Sequence, residues 1–290
     1  MRLECRFPLS PTPSFINRAR LIAASVRDIY PGAVIRASVY PPVDGMPDGI
    51  AHWSPSAEAF ESWAGTRAPF TATVLHSYRP PFAGDFLVFL DADVLPVARF
   101  DELFEHDAIQ GVQTHIPPMP PDQWRALFLA YGLPEPAAWI EHSGAGVMCA
   151  PGTASPFYPN SGMVAGPRTL FERLSPAYGQ AVRFLRGVMG DVYWIDQVGL
   201  ALGLAAAGVA VHPLPLRWNF PNRASFDAAH PAELADARFV HAMDTSIADR
   251  DRDFASREAM EALVARMDLV GSNEVLRDRV QRLLARGAAA

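Results

Sequence analysis

The chain has 290 residues, of which 50% are hydrophobic, so it can build one large core or two modest ones and is not a disordered protein. Its formal net charge of −6 gives no electrostatic reason to bind nucleic acid, whose phosphate backbone rewards clustered positive charge. Its two cysteines, Cys5 and Cys149, are too few for a disulfide framework or a cysteine-only zinc site, which indicates a reducing cytoplasm.

No segment of the sequence predicts a membrane span. The longest uncharged run of interest, Val198 to Val211, is shorter than the roughly 20 residues that a spanning helix needs. Residues 1–8 contain no apolar core of the length found in secretion signals. We therefore expect a cytoplasmic protein without a transmembrane segment.

A strand, a helix and a second strand are predicted in the first forty residues. The strand covers residues 2–7, and Thr12 followed by Pro13 is typical of a helix N-cap and first helical position. Ala33–Tyr40 is the second strand. The helix carries one apolar face with spacings of three and four, formed by Phe15, Ala19, Ile22, Val26 and Ile29. No G-x-G-x-x-G turn is present, which argues against a dinucleotide-binding Rossmann domain.

The most informative stretch follows a segment without recognisable chemistry. Residues 41–66 predict a loop and a short helix, and Phe70–Leu75 predicts a strand. Phe86–Leu90 is an apolar run typical of a strand buried on both faces of a parallel sheet, and it ends at Asp91 and Asp93. Ligands gather at the carboxyl ends of such strands. A divalent cation would relieve the repulsion between the two carboxylates and leave positions open for phosphate oxygens.

Asp-x-Asp after a strand also fits two other interpretations. One is an acidic turn with no ligand. The other is a phosphatase of the haloacid dehalogenase type, which has an aspartate nucleophile there, a threonine after it and a lysine elsewhere. Val94 stands where the threonine is expected, and the chain contains no lysine. These two features argue against the phosphatase.

The middle of the chain predicts further sheet elements and an insert. Phe100–Phe104 suits a helix and Ile109–His115 a strand. From Pro117 an insert of about forty residues begins, and long loops of this kind often form a wall or lid of a functional site. Its aromatic residues are better explained as the core of a local helical pair than as ligand contacts; they are Trp124, Phe128, Tyr131 and Trp139.

Three later stretches carry polar residues beside apolar elements. Asn160-Ser161-Gly162 predicts a tight turn before a short strand at Met163–Ala165, and Gly166-Pro167 starts a helix through Leu174. Asp196-Gln197 precedes a buried apolar helix that Gly208 ends, followed by a strand at Val209–His212. Arg238–Met243 predicts a last strand with His241 near its end.

The order of these signals resembles the retaining glycosyltransferase family that contains glycogenin and the bacterial lipopolysaccharide galactosyltransferases, over roughly residues 80 to 245. The resemblance implies an α/β protein of the GT-A fold, Rossmann-like, with a mainly parallel central sheet flanked by helices. It implies transfer of a sugar from a nucleotide-diphosphate donor, with UDP as the expected nucleotide. It further implies that Mn²⁺, or Mg²⁺, is bound by Asp91, Asp93 and His241. Asn160, Ser161 and Gly162 would line the sugar pocket, and Asp196 and Gln197 would lie at the donor sugar, Gln197 near its anomeric carbon.

The sequence departs from that family where a diphosphate must be bound. A glycine and a lysine commonly follow the histidine, whereas Ala242-Met-Asp-Thr-Ser-Ile follows here. Arginine is then the available strong base, and its planar fork suits phosphate. The candidates are Arg79, Arg217, Arg250 and Arg252. We favour Arg217 because it lies between two segments that the resemblance assigns to the site, and Arg79 also fits a solvated surface residue.

The C-terminal segment, residues 251–290, predicts two amphipathic helices after a transferase domain at residues 1–250. Their apolar stripes are Met260, Leu263, Val264 and Met267, and Val275, Leu276, Val280 and Leu283. They would pack on the domain or form a homo-oligomer contact.

Two functional alternatives remain open beside retaining transfer. An inverting transferase would use Asp191 or Asp196 as general base. A protein that binds sugar nucleotides without catalysis would keep the donor site alone. The sequence leaves the acceptor open among glycans, lipids and proteins.

Overall fold

The computed structural model describes residues 1–41, 46–54, 69–190, 192, 194–244, 249 and 251–287. The strands of these residues are β1 Leu3–Leu9, β2 Val34–Val39, β3 Ala51–Trp53, β4 Phe86–Leu90, β5 Val94–Pro96, β6 Ile109–Gln113, β7 Ile140–Glu141, β8 Ala154–Ser155, β9 Pro159–Pro167, β10 Val211–Leu214, β11 Phe220–Pro221 and β12 Phe239–His241. The α-helices are α1 Pro13–Ile29, α2 Pro69–Ser77, α3 Pro121–Ala130, α4 Arg168–Met189, α5 Ile195–Ala207, α6 Ala224–Ala229, α7 Pro231–Ala235, α8 Arg257–Val264 and α9 Ser272–Ala285. Short 3₁₀ helices cover Asp101–Glu105 and Leu216–Trp218.

The main sheet has the strand order β10-β6-β9-β4-β1-β2-β3. All its strands run in one direction except β9, which is antiparallel to both β4 and β6. Helices cover both faces, so the mixed α/β class with a mainly parallel central sheet is confirmed. A smaller sheet, β11-β12-β5, lies beyond the end of β4 and carries the last predicted strand.

Strand β4 is buried on both faces, as its uninterrupted apolar run predicts. Val88 and Leu90 point into a core shared with α1 and α9. Leu87 and Phe89 point into the opposite core with α2, α4 and α5. Because successive side chains of a strand alternate between faces, a strand covered on both sides needs apolar residues at every position. This burial fixes the point at which the chain leaves the sheet, immediately before Asp91.

The first helix forms as its capping signals predict. The Thr12 hydroxyl accepts a hydrogen bond from the Phe15 backbone N–H, and Pro13 occupies the first helical position. Ala19, Ile22 and Val26 are buried against the sheet. The spacing of three and four residues therefore marks the packed face of α1.

The prediction of a strand at residues 70–75 is wrong, since Pro69–Ser77 is helix α2. Short apolar runs do not distinguish a buried strand from a buried helix by periodicity. Val74 and Leu75 of α2 belong to the core on the α4 side of the sheet. The chain needs an element on a sheet face here, because β3 and β4 are parallel to their neighbours and parallel strands require a crossover connection.

The turn predicted at Asn160–Gly162 is also wrong, because these residues belong to β9. That strand is longer than the Met163–Ala165 segment expected, and the following helix α4 continues to Met189, well beyond Leu174. The pairing of β9 with β6 shifts register between Gly111 and Gln113, so the Asn-Ser-Gly stretch forms an irregularity within the strand. Pairing of the flanking β9 residues with β4 and β6 outweighs the local turn preference.

The insert contains helix α3 and the small β7-β8 sheet instead of a helical pair. Trp124 and Phe128 are buried in a core with α4 and α5, while Tyr131 and Trp139 pack partly against it. The interpretation of these aromatic residues as core is confirmed.

The strand expected at Val209–His212 lies at Val211–Leu214, and the helix expected at Phe100–Phe104 is a 3₁₀ turn.

The C-terminal helices pack on α1 and the small sheet. Leu276, Val280 and Leu283 of α9 join the core that contains β1. Arg279 donates to the Ser25 hydroxyl at 2.9 Å and to Asp28 at 2.7 Å, which joins α9 to α1. Met267 is 84% exposed, so the stripe predicted for the first helix ends before it. The boundary at residue 250 stays a prediction.

Among the described helices, none has both the length and the apolar character required to cross a membrane.

Candidate active site

Asp91, Asp93 and His241 come together where the main sheet meets the small sheet. Asp91 follows β4, and its backbone N–H donates to the Gly162 carbonyl of β9 at 3.0 Å. The Ala242 N–H donates to the Asp93 carbonyl at 2.8 Å, and His241 pairs with Val94 in the antiparallel β12-β5 ladder. Backbone hydrogen bonds therefore position each of these three side chains.

The three side chains fit a divalent cation. One ligand atom from each lies within 4.8 Å of the others, and His241 Nε2 lies 3.2 Å from Asp93 Oδ1. Two carboxylates and an imidazole are a donor set for a first-row divalent metal, and three ligands leave positions for water or phosphate oxygens. This arrangement of donor atoms makes Asp91, Asp93 and His241 a candidate metal site.

Gly162 is required by the approach of His241. A Cβ atom at Gly162 would lie 2.6 Å from His241 Cε1 and 2.7 Å from Asn160 Oδ1, which is closer than real contacts allow. The Asn160 carboxamide oxygen accepts from the Gly162 N–H at 2.8 Å and from Asn219 Nδ2 at 3.0 Å. The Asn-Ser-Gly stretch thus packs against His241 and presents Asn160 and Ser161 to the same cleft.

Asp196 and Gln197 enter the site from the first turn of α5. Gly199 and Gly203 allow α5 to pack closely on α4, since a Cβ at Gly203 would lie 2.8 Å from Tyr178 Cα. Asp196 is only 4% exposed. Burial raises the pKa of its carboxyl to about 6, partly countered by the backbone N–H groups of Gln197 and of Asp196 itself.

A cleft of about 740 Å³ joins these groups. The predicted site residues that line it are Asp91, Asp93, Asn160, Ser161, Asp196, Gln197 and His241. We call Asp91, Asp93, Asn160, Asp196 and His241 its polar floor. Along its other side lie Ile116, Pro117, Pro118 and Met148, which we call its apolar rim; Ile116 directly precedes the insert and the other three belong to it.

Of the predicted arginines, the three that the structure describes, Arg79, Arg217 and Arg252, do not line this cleft. Arg217 lies 3.4 Å from Glu233 and 3.4 Å from Asp236, and Arg252 pairs with Asp253 at 2.6 Å. Arg79 is exposed. Arg250, and the alternative base Asp191, lie outside the described residues.

Arg223 and His115 are among the cleft residues that the sequence interpretation does not assign to the site. Each follows a strand, Arg223 after β11 and His115 after β6, so the rule that ligands gather at strand ends could have identified them. Burial is the main cause that lowers the pKa of His115 to about 3, with His241, Arg223 and His142 adding to the effect. The ring is neutral at pH 7.

The chain has the GT-A fold of nucleotide-sugar glycosyltransferases. It resembles a crystal structure of an active-site mutant of LgtC with a TM-score of 0.52 and 15% sequence identity, covering 98% of this chain and 95% of that chain. The galactosyltransferase LgtC in complex with donor and acceptor sugar analogues matches with a TM-score of 0.51 and 14% identity, covering 98% and 99%. No protein-family model and no curated protein matches the sequence.

Proposed function

We propose that this protein is a metal-dependent glycosyltransferase that moves a sugar from a nucleotide-diphosphate donor, a UDP-sugar, to an acceptor. One observation carries the proposal: the Asp91, Asp93 and His241 triad shares a cleft with Asn160, Ser161, Asp196 and Gln197. The GT-A fold and the similarity to LgtC support the same assignment. The chain's cysteines are both free, which agrees with a cytoplasmic location.

The residues of the floor divide the work of binding and orientation. Asp91, Asp93 and His241 hold the cation, and we propose Mn²⁺ over Mg²⁺ because imidazole is a softer ligand than carboxylate or water. When bound, the cation stabilises negative charge on the departing diphosphate as a Lewis acid. Asn160, Ser161 and the backbone at Gly162 contact the donor sugar, and Asp196 accepts hydrogen bonds from its hydroxyl groups.

Gln197 is proposed to lie near the anomeric carbon, where a carboxamide can stabilise developing positive charge and is a poor nucleophile. Within the described lining of the cleft the carboxylates are Asp91, Asp93 and Asp196, and two of these are assigned to the metal. No dedicated general base is left among them if Asp196 binds the sugar. This favours transfer with retention of the anomeric configuration.

A screen of nucleotide sugars tests the donor and the metal together. We expect UDP-sugars to raise the melting temperature with Mn²⁺ present and to lose that effect in excess chelator. Turnover with an acceptor distinguishes an enzyme from a protein that binds the donor without catalysis. Equal stabilisation in chelator would remove the metal from the proposal.

Proton NMR of the first-formed product tests retention. An inverted anomer would favour the alternative, in which Asp196, or Asp191 outside the described residues, is the base. The acceptor, whether glycan, lipid or protein, is proposed to lie along the apolar rim.

A further inference from the structure

His115 lines the cleft, and its ring is positioned by contacts from several elements. Its Nδ1 lies 2.7 Å from the Ser143 hydroxyl, and the Ser143 N–H donates to the Thr114 carbonyl at 3.1 Å. The ring packs on Phe226 with centroids 5.0 Å apart, and the residue is buried. Its Nε2 is buried and has no hydrogen-bond partner among the described residues. Buried polar atoms are normally paired, so this nitrogen is a candidate for contact with a bound group.

Arg223 lines the same cleft, and its guanidinium makes few contacts with the described residues. Its Nε is buried and has no hydrogen-bond partner in the part of the chain that the structure describes. Its Nη1 lies 3.8 Å from Met148 Sδ, and a thioether sulfur is only a weak acceptor. Arg217, Arg238 and Arg252, by contrast, each pair with a carboxylate. Arg223 has no carboxylate partner among the residues that the structure describes, and an arginine of this kind at the side of a cleft is suited to an anionic group of a ligand.

We propose that Arg223 and His115 form a phosphate-binding subsite of the cleft. The guanidinium binds two phosphate oxygens with its planar fork, and His115 donates from Nε2 while the Ser143 hydroxyl donates to Nδ1. Two sources supply the same chemistry: the diphosphate of the donor, which lacks a lysine partner in this chain, or a phosphate group on the acceptor. The subsite rests on the proposed function in so far as the phosphate belongs to one of these two substrates.

Both residues are connected to the insert, Arg223 through Met148 and His115 through Ser143. The subsite therefore lies beside the apolar rim. If the acceptor supplies the phosphate, it also presents an apolar part to Ile116 and Met148, which are 47% and 38% exposed. Such an acceptor is an amphipathic phosphorylated molecule.

The experiment compares Arg223→Gln with Arg257→Gln, which removes the same charge from an exposed position in α8. Calorimetry measures UDP and uridine in Mn²⁺, and ³¹P NMR measures inorganic phosphate in excess chelator. If the donor supplies the phosphate, Arg223→Gln weakens UDP about tenfold or more and leaves uridine unchanged. If the acceptor supplies it, UDP affinity is unchanged and binding of inorganic phosphate is lost. Arg257→Gln behaves as wild type in both arms.

A second pair of variants separates ligand binding from a structural role of His115. His115→Asn places an amide near Nδ1 and keeps the contact with Ser143, whereas His115→Gln places one near Nε2. We expect the Gln variant to retain phosphate or UDP affinity and the Asn variant to lose it. The reverse order in binding, with melting temperatures that follow it, would show that the ring only supports the fold and overturn its part of the proposal.

The outcomes also distinguish the subsite from the proposed function. The wild-type protein could bind inorganic phosphate through Arg223 and yet fail to bind UDP with Mn²⁺. That result would support the phosphate subsite and contradict the proposed UDP-sugar donor. If Arg223→Gln changes neither UDP nor phosphate binding, or if the wild type binds neither, the subsite is refuted.

Discussion

The polar floor and the apolar rim of the cleft are positioned by different parts of the fold. The floor residues stand at the ends of strands or on the first turn of a buried helix, and Asn160, Asp196 and His241 are all buried. The rim residues come from loops of the insert and from Ile116 directly before it, and Ile116 and Met148 are exposed. Rigid elements can hold charged groups at fixed distances, whereas loops can vary without disturbing the sheet. We infer that the floor determines the donor chemistry and the rim determines the acceptor.

The largest expected effect comes from breaking the floor at Asp93. Asp93→Ala removes one of three metal ligands and leaves two, so we expect metal-dependent UDP binding to be lost and transfer to fall by more than about a hundredfold. Calorimetry with Mn²⁺ and UDP measures it. Asp122→Ala, at an exposed carboxylate of α3, is the matched control and should bind as wild type. Normal Mn²⁺ binding by Asp93→Ala would contradict the triad.

The buried carboxyl group of Asp196 should lower the free energy of unfolding at neutral pH. Its folded pKa of about 6 lies above its ordinary value of 3.8, so the folded state binds the proton more tightly. This proton binding stabilises the folded state fully below about pH 4, and the stabilisation is lost as the pH rises through about 6. The loss in the free energy of unfolding is at most about 3 kcal/mol. Asp196→Asn stays neutral and avoids this loss.

Urea unfolding at pH 4 and pH 8 tests this sign. Asp196→Asn should match wild type at pH 4 and be more stable at pH 8, while its transfer activity falls. A stability difference that is the same at both pH values would contradict the raised pKa. A gain in stability combined with a loss of activity is what a buried carboxylate retained for binding should show.

A smaller effect on the floor is expected from Gly162→Ala. The added methyl group must displace the His241 ring or the Asn160 side chain, which should cost about 1–3 kcal/mol of stability. Because His241 is a proposed ligand, Mn²⁺ affinity should fall about 10–100-fold. Gly187→Ala in α4 is the control, since nothing lies within 4 Å of its Cβ and alanine favours a helix. If the Mn²⁺ affinity of Gly162→Ala is unchanged, the proposal that His241 is a metal ligand is contradicted.

Substitutions at the rim should have the smallest effect, and they should change the KM for the acceptor instead of the affinity for UDP. Met148→Ala removes apolar contact area from the proposed acceptor side, which is worth about 1–2 kcal/mol, or roughly tenfold in the KM for an apolar acceptor. The affinity for UDP with Mn²⁺ should not change. Steady-state kinetics with varied acceptor and varied donor separate the two, and a matching loss in donor affinity would contradict the division between floor and rim.

The sequence predicted the floor better than it predicted the elements that carry it. Asp91 and Asp93 come after the apolar strand β4, and His241 ends β12, so both positions can be recognised in the sequence. The sequence predicts a turn at Asn160–Gly162, whereas these residues lie in β9. Turn preference is a local property, and pairing of β9 with β4 and β6 is decided by residues distant in the sequence. Arg217 was favoured by its sequence position alone. Its nearest acidic partners, Glu233 and Asp236, lie in α7 or just after it, and the sequence does not show that they reach it.

What the amino-acid sequence determined by itself is strands β1, β2, β4 and β6, the capped first helix and the acidic pair at the end of β4, because apolar runs and capping residues are patterns of neighbours along the chain. Tertiary structure alone decided which polar groups share one cleft. It brought His241 to Asp93 across the β12-β5 ladder and brought Arg223 and His115 to the same wall. The physical reason is that a strand's neighbours, and so the position of the residue at its end, follow from the order of strands in the sheet.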